Sequence, residues 1–179
     1  MTGFIIAQII GTAGYFLYVT SPHFNRREHV LRTEILAYLV LALQWALLGQ
    51  TILLIGNLLV LFAALISLAK ISQKTKTRLF NGLYILAIAL ILVFWRGTII
   101  DVFAATGTFL VIASKTMTDM ARFRFLSGVS GVILSISAAL AFCLPAVFFN
   151  ILFALGHFRN VWALNLIIDD KRASPTIVK

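Results

Sequence analysis

Six polar side chains interrupt the long apolar runs of this sequence, and they pair up at a constant separation of 93 residues. The pairs are Gln8 and Asp101, Gln44 and Ser137, and Asn57 and Asn150. Each lies a similar distance from the end of its run, so on helices all six would sit at one depth, roughly 8–9 Å inside one membrane boundary. Amide, hydroxyl and carboxyl groups at one depth can hydrogen-bond a small polar solute in a shared cavity.

These polar groups also admit a structural interpretation. Buried amides and hydroxyls in lipid need hydrogen-bond partners, and they often find them on neighbouring helices. Asn57 and Asn150 fit ligand contact and helix packing almost equally well. Gln8, Gln44 and Ser137 fit packing better, so the sequence leaves both interpretations open.

Asp101 is the one acid that falls clearly within an apolar run, unless Glu34 also lies inside its boundary. A carboxyl at this position suits the uptake and release of a proton. The alternative is a structural ion pair with Arg96, which lies five residues earlier. Trp45 could stack on a ligand, although aromatic residues near the ends of spans are more often interface anchors.

The sequence carries no pattern typical of an enzyme or of a cofactor site. HExxH, CxxC, GxSxG and glycine-rich phosphate loops are missing, and the three histidines share no ligand spacing with an acid or a thiol. We therefore expect neither enzymatic activity nor a bound cofactor or metal.

The elements that would position these residues are membrane-spanning helices. The chain of 179 residues is 61% hydrophobic and only 12% charged, which is too apolar for a soluble domain of this size. Continuous apolar runs favour helices over the alternating strands of a barrel. Seven spans are predicted, at 3–19, 33–49, 51–70, 79–95, 98–114, 126–142 and 144–160.

The basic residues predict the orientation of these spans. With seven spans, all of the 15 lysines and arginines except Arg96 fall at one end of the bundle. Cytoplasmic loops carry an excess of such residues, so we predict the N-terminus outside and the C-terminus in the cytoplasm. The same rule accounts for the net charge of +9 without nucleic-acid binding, and the expected partners are the lipid bilayer and a small polar solute.

The run Leu79–Trp95 has no counterpart elsewhere in the chain and divides it into two similar blocks. After the last span, Val161–Ile168 is predicted as a short helix in the membrane interface and Asp169–Lys179 as a loose tail. The predicted divisions are a first triple-helix bundle (1–70), an inner loop with a linker helix (71–97), a second triple-helix bundle (98–165) and a cytoplasmic tail (166–179).

Short motifs in the first 70 or so residues carry a resemblance to a known family. They are Ala7-Gln8 with Gly11, Phe24-Asn25-Arg26, Leu47-Leu48-Gly49 and Asn57. This part of the chain resembles the YgjV-like family of small bacterial inner-membrane proteins. The resemblance implies a multi-pass protein of the bacterial inner (plasma) membrane, and it brings no substrate with it.

The order of three spans, a linker span and three spans is similar to that of the SWEET sugar transporters and their PQ-loop relatives. In SWEETs the two triplets are parallel repeats related by an axis along the membrane normal. That family places an asparagine of the third and of the seventh span beside the substrate, and Asn57 and Asn150 match those positions. Trp45 is a looser match to a tryptophan of the second span, and Ala138 stands at the equivalent place in the sixth.

The chain departs from that family in its prolines. SWEET-like proteins carry prolines in the first two helices of each triplet, where they help the two halves to rock. This chain has only Pro22, Pro145 and Pro175. The likeness therefore favours the fold more than the mechanism.

These patterns predict an all-α membrane protein whose seven transmembrane helices form 3+1+3 parallel triple-helix repeats. The predicted function is transport of a small polar solute across the inner membrane, by alternating access between the two bundles. Substrate would bind between Asn57 and Asn150, with Gln8, Gln44 and Asp101 lining an outer vestibule. The alternative is a structural or accessory membrane protein with the same fold, and oligomerisation stays open.

Overall fold

The computed structural model describes residues 2–141 and 143–173, and every regular element within them is a helix. Seven long helices follow one another, with a single 3-10 turn, Ser21–His23, after the first. The helices are α1 (Thr2–Thr20), α2 (Arg27–Leu47), α3 (Thr51–Leu68), α4 (Gln73–Phe94), α5 (Ile99–Thr116), α6 (Met120–Leu140) and α7 (Leu144–Ala173).

All seven helices are long and apolar enough to cross a membrane. The most apolar stretch of each has a mean hydropathy between 1.2 and 2.5. Large apolar side chains such as Ile85, Leu92 and Val93 on α4 are exposed, as expected on a surface solvated by lipid. The chain is therefore a multi-pass membrane protein, and the predicted all-α class with seven spans is confirmed.

Three helices begin earlier than their apolar runs. α2 starts at Arg27 rather than at 33, α4 at Gln73 rather than at 79, and α6 at Met120 rather than at 126. Two of these starts are capped, because Ser72 accepts a hydrogen bond from the Thr75 amide and Asp119 accepts one from the Arg122 amide. Such caps satisfy the free amides of a first turn, so the helices extend into the polar membrane interface, which a search for apolar runs does not see.

The last helix is continuous, and here the structure differs from the prediction. α7 runs from Leu144 to Ala173 without a break, whereas a separate interfacial helix and a loose tail were expected beyond Arg159. No proline or glycine interrupts 158–173, so nothing local stops the backbone hydrogen bonding. Residues 174–179 of the predicted tail lie outside the described residues.

The helices pack in a closed circuit of contacts. α1 contacts α2, α2 contacts α3, α3 contacts α5, α5 contacts α6, α6 contacts α7, and α7 returns to α1. α4 lies outside this ring, packed on α3 and only sparsely on α5. The main apolar core includes Tyr15, Tyr18, Tyr38, Trp45 and Phe153 of the ring, and it extends to Phe80 on the inner face of α4.

The two ends of the bundle differ in charge. Arg27, Lys76, Lys115 and Arg124 all lie towards one end, where α2, α4 and α6 begin and α5 finishes. We call this the basic end. The other end carries the connections α2–α3 and α6–α7, with Gly49 at φ 65° allowing the tighter turn.

Candidate functional site

A small cavity lies inside the ring, between α1, α2, α3, α6 and α7. It measures about 60 Å³, and a neighbouring cavity of about 40 Å³ shares part of its wall. Four aromatic side chains, four aliphatic side chains and two asparagines line it. The residues that matter here are Tyr15, Tyr18, Tyr38, Trp45, Asn57 and Asn150.

The structure brings the predicted asparagine pair to one place. Asn57 on α3 and Asn150 on α7 both line the 60 Å³ cavity. Nδ2 of Asn57 donates a hydrogen bond to the carbonyl oxygen of Leu53, one turn earlier, at 3.0 Å. Asn150 is buried at 6% exposure, which keeps its side chain away from lipid.

Trp45 separates this cavity from a vestibule at the other end of the bundle. The vestibule measures about 210 Å³, and both Trp45 and Gln8 line it. Oε1 of Gln8 is buried without a hydrogen-bond partner among the described residues, so it is an available acceptor. Since Trp45 belongs to both walls, its indole ring is the partition between vestibule and cavity.

Three of the six paired polar residues, namely Gln44, Ser137 and Asp101, line neither space. Gln44 is fully buried against α1, so closely that a Cβ at Gly11 would lie 2.1 Å from its Cδ, and its amide atoms have no partner among the described residues. Ser137 is fully buried, and its hydroxyl lies 3.4 Å from the carbonyl oxygen of Ile100 on α5. Equal depth in the membrane therefore did not mean a common cavity, because Gln44 and Ser137 point into helix contacts.

Asp101 is part of the N-terminal cap of α5. Its Oδ2 accepts hydrogen bonds from the amides of Arg96 and Thr98 at 3.1 and 3.0 Å. The hydroxyl of Thr98 accepts in return from the Asp101 amide at 3.3 Å, which completes a capping box. Asp101 thus meets Arg96 through the backbone amide, and it lines neither the cavity nor the vestibule.

A buried ion pair that the sequence did not indicate joins α2 to α5. Nζ of Lys115 lies 2.5 Å from Oε2 of Glu34, and both side chains are 0% exposed. The ammonium group also sits 4.8 Å from the centre of the Phe123 ring, a favourable cation–π distance. Glu34 was predicted near a boundary and Lys115 in a loop, and no local pattern relates residues so far apart in the chain.

Packed aromatic rings lie on the side of the central cavity that faces the basic end. Tyr18, which lines the cavity, stacks on Phe153 with ring centres 3.8 Å apart. Phe153 in turn meets the ring of His157 edge-on at 4.4 Å. His157 is fully buried, and both its ring nitrogens are without a hydrogen-bond partner among the described residues. On this side of the cavity the structure therefore places stacked rings and a buried histidine.

Comparison with protein-family models, with curated proteins and with solved structures yields no match. Within the described residues, no group of three or more His, Cys, Asp or Glu side chains is placed to hold a metal ion. The candidate function therefore rests on the geometry of the cavity and of the aromatic side chains around it.

Proposed function

We propose that this chain transports a small polar solute across the bacterial inner membrane. The observation that carries the proposal is the cavity inside the helix ring that Asn57 of α3, Asn150 of α7 and Trp45 all line. Two amides inside an otherwise aromatic and aliphatic wall provide donors and acceptors that orient a polar solute. Polar groups buried in a membrane bundle commonly mark a substrate pathway.

The proposed architecture is two parallel repeats, α1–α3 and α5–α7, with α4 as the linker, as in SWEET-like transporters. The turns at the non-basic end support it. The Gln50 amide donates to the Trp45 carbonyl oxygen at 3.0 Å, and 93 residues later the Cys143 amide donates to that of Ala138 at 2.9 Å. α2 and α6 also begin and end at positions 93 residues apart, Arg27–Leu47 and Met120–Leu140.

Contacts between the two repeats support the same symmetry. The carbonyl oxygen of Lys115 accepts a hydrogen bond from Ser67 of α3 at 3.0 Å. In the corresponding place, the carbonyl oxygen of Pro22 accepts one from Asn160 of α7 at 2.8 Å. An arginine of α2 donates to the first carbonyl and an arginine of α6 to the second. The circuit of helix contacts is likewise unchanged when the two triplets are exchanged.

In this conformation the proposed site is small. Trp45 lies between it and the vestibule, and the stacked rings of Tyr18 and Phe153 lie on its side towards the basic end. At about 60 Å³ the cavity is far smaller than the roughly 300–1,000 Å³ of typical small-molecule pockets. A solute of more than a few non-hydrogen atoms requires the two triplets to separate, which is the rocking that alternating access supplies.

The proposed orientation places the basic end in the cytoplasm, with the N-terminus outside and the C-terminus inside. The clustering of lysine and arginine supports it. Solute would then enter from outside through the vestibule beside Gln8, pass Trp45, and leave between Tyr18 and Phe153.

A panel of polar solutes in proteoliposomes tests the proposal. We expect the variant with both Asn57→Ala and Asn150→Ala to lose most of its uptake of whichever solute the wild type carries. Asn25→Ala, at an exposed loop position, is the matched control and should transport normally. Wild-type uptake in the double variant would exclude this site.

A second candidate function is that of a structural or accessory membrane protein with the same fold. It is favoured by the internal use of the polar residues: Asn57 donates to its own helix, Ser137 approaches the Ile100 carbonyl and Asp101 caps α5. Cysteines at positions 57 and 150, in a Cys143→Ser background, separate the two candidates. A transporter should expose them to water-soluble thiol reagents, whereas complete protection favours the accessory role.

A further inference from the structure

A larger polar pocket lies outside the ring at the basic end, where α4 meets α3 and α5. It measures about 280 Å³. Three of its lining residues are cationic, namely Arg27, Lys76 and Lys115, and hydroxyls such as those of Thr77 and Thr116 add further hydrogen-bond donors. No acidic residue lines it within the part of the chain that the structure describes.

Two of the three cations form no direct ion pair within the described residues. Lys115 pairs with Glu34, whose carboxylate also attracts Arg27 at longer range. Arg27 donates through Nη2 to the Ser67 hydroxyl and to the Lys115 carbonyl oxygen, and Lys76 donates to the Ser67 carbonyl oxygen at 2.9 Å. Neither is within 4.0 Å of a carboxylate among residues 2–141 and 143–163, where the ion pairs are Lys115–Glu34 and Arg32–Glu28.

Arg27 also keeps unused donor capacity. Its Nε is buried and has no hydrogen-bond partner among the described residues. A guanidinium donor withdrawn from water without a partner is costly. Arg27 and Lys76, half-buried on two helices that face the same pocket, therefore favour an anion between them.

The apolar part of the pocket wall indicates which kind of molecule the anionic group belongs to. Phe80 and Tyr84 continue the pocket along α4, away from the basic end and towards the membrane interior. Tyr84 stacks on Phe109 of α5, with ring centres 6.3 Å apart. The pocket is therefore cationic at the membrane surface and aromatic deeper in the membrane. A phospholipid matches this arrangement, because its phosphate lies at the surface and its acyl chains lie below it.

We propose that this pocket binds a phosphate group, with Arg27 and Lys76 as its charged contacts. An anionic phospholipid headgroup and free phosphate offer this chemistry, and the wall of Phe80 and Tyr84 favours the lipid. The bound lipid bridges α4 to α3 and α5, and so it fastens the sparsely packed linker helix to the ring. This site is independent of transport through the central cavity.

Thermal unfolding of the purified full-length chain in neutral detergent tests the site. Phosphatidylglycerol should raise the unfolding temperature of the wild type in a saturable way, whereas phosphatidylcholine, with no net charge, should not. In Arg27→Gln with Lys76→Gln, the phosphatidylglycerol concentration at the midpoint of the titration should rise by about tenfold or more. This is the scale expected for the loss of a charge-assisted hydrogen bond to phosphate. The control, Arg26→Gln with Lys74→Gln, removes the same charge from exposed neighbours outside the pocket and should titrate like the wild type.

The outcomes separate the alternatives. In one outcome, inorganic phosphate stabilises the wild type in a saturable way but not the pocket variant, and phosphatidylglycerol stabilises neither. That result would support the phosphate site and show that its ligand is not a lipid. Equal titrations for the pocket and control variants would overturn the site itself. If the double variant does not fold, Lys76→Gln against Lys74→Gln is judged by the same criteria, since Lys76 makes one hydrogen bond, to the Ser67 carbonyl oxygen.

Discussion

The ammonium group of Lys115 on α5 meets the carboxylate of Glu34 on α2 at 2.5 Å, with both side chains fully buried. These are the helices of opposite halves of the chain, so the pair ties the two halves together near the basic end. Its charges are shielded from water, and each is tolerated only because the other is present.

Removal of one partner of this pair should therefore be strongly destabilising. We expect Glu34→Gln or Lys115→Met to lower the free energy of unfolding by about 3–5 kcal/mol, because each leaves a buried charge unpaired. The two changes combined should recover much of that loss. Denaturant unfolding in detergent measures the effect.

Glu28→Gln is the matched control, since Glu28 pairs with Arg32 on the surface of α2. An exposed pair of this kind contributes at most about 1 kcal/mol. If Glu34→Gln were no more destabilising than Glu28→Gln, the buried pair would have no special role in stability.

Gly131 sets the approach of α6 to α7 behind the asparagine cavity. A Cβ there would lie 3.1 Å from the carbonyl oxygen of Asn150 and 3.2 Å from Cβ of Ala154. Since backbone and side-chain atoms crowd it together, we expect Gly131→Ala to cost about 1–3 kcal/mol of stability. Gly82→Ala, on α4 with nothing within 4 Å, should be neutral or slightly stabilising, as a helix propensity effect. Thermal unfolding of the two variants side by side checks this, and equal stability would argue against a close contact.

Trp45 should control access from the vestibule to the asparagine cavity. In a Cys143→Ser background with Asn150→Cys, we expect Trp45→Ala to speed labelling by a membrane-impermeant thiol reagent, because it removes the partition between the two spaces. Trp162→Ala changes a tryptophan that is 72% exposed and should leave the labelling rate unchanged. Identical rates in both variants would show that Trp45 is not the barrier.

Asp101 should matter first as a helix cap. We expect Asp101→Ala to cost about 1 kcal/mol of stability, as other N-terminal capping losses do, and Asp101→Asn to cost less because an amide oxygen can still accept from the Arg96 and Thr98 amides. Thermal unfolding compares the two variants.

Asp101→Asn also isolates the predicted proton role of the carboxyl, because it removes the titratable group and retains an acceptor. Loss of pH-driven solute accumulation with exchange intact would support that role. Unchanged accumulation would leave Asp101 as a cap alone.

Several features of the fold follow from the sequence because they depend on one helix at a time. Apolar length alone predicts that a helix crosses the membrane, and this identified all seven spans. The start of α3 at Thr51 agrees with the predicted boundary, because the polar turn before it is short and sharply marked. The starts of α2, α4 and α6 were missed, since their first turns are polar and their caps depend on backbone geometry.

Only part of the candidate site could be predicted from the sequence. The separation of 93 residues paired Asn57 with Asn150, and both line the cavity, because α3 and α7 each turn that position to the inside of the ring. The same spacing grouped them with Gln44, Ser137 and Asp101, which the structure places in a helix contact, beside a backbone carbonyl and in a cap.

The sequence by itself therefore determined that helices of this protein are apolar enough to cross a membrane and that there are seven of them, because both follow from composition and run length. It also predicted a common depth for the polar residues, but only the tertiary structure decided which of them share a cavity. The tertiary structure also paired Glu34 with Lys115, and placed Arg27 and Lys76 at a pocket that no acidic residue lines among the described residues. The physical reason is that depth is a property of one helix, whereas the direction of a side chain and its partner depend on the rotation of that helix against its neighbours.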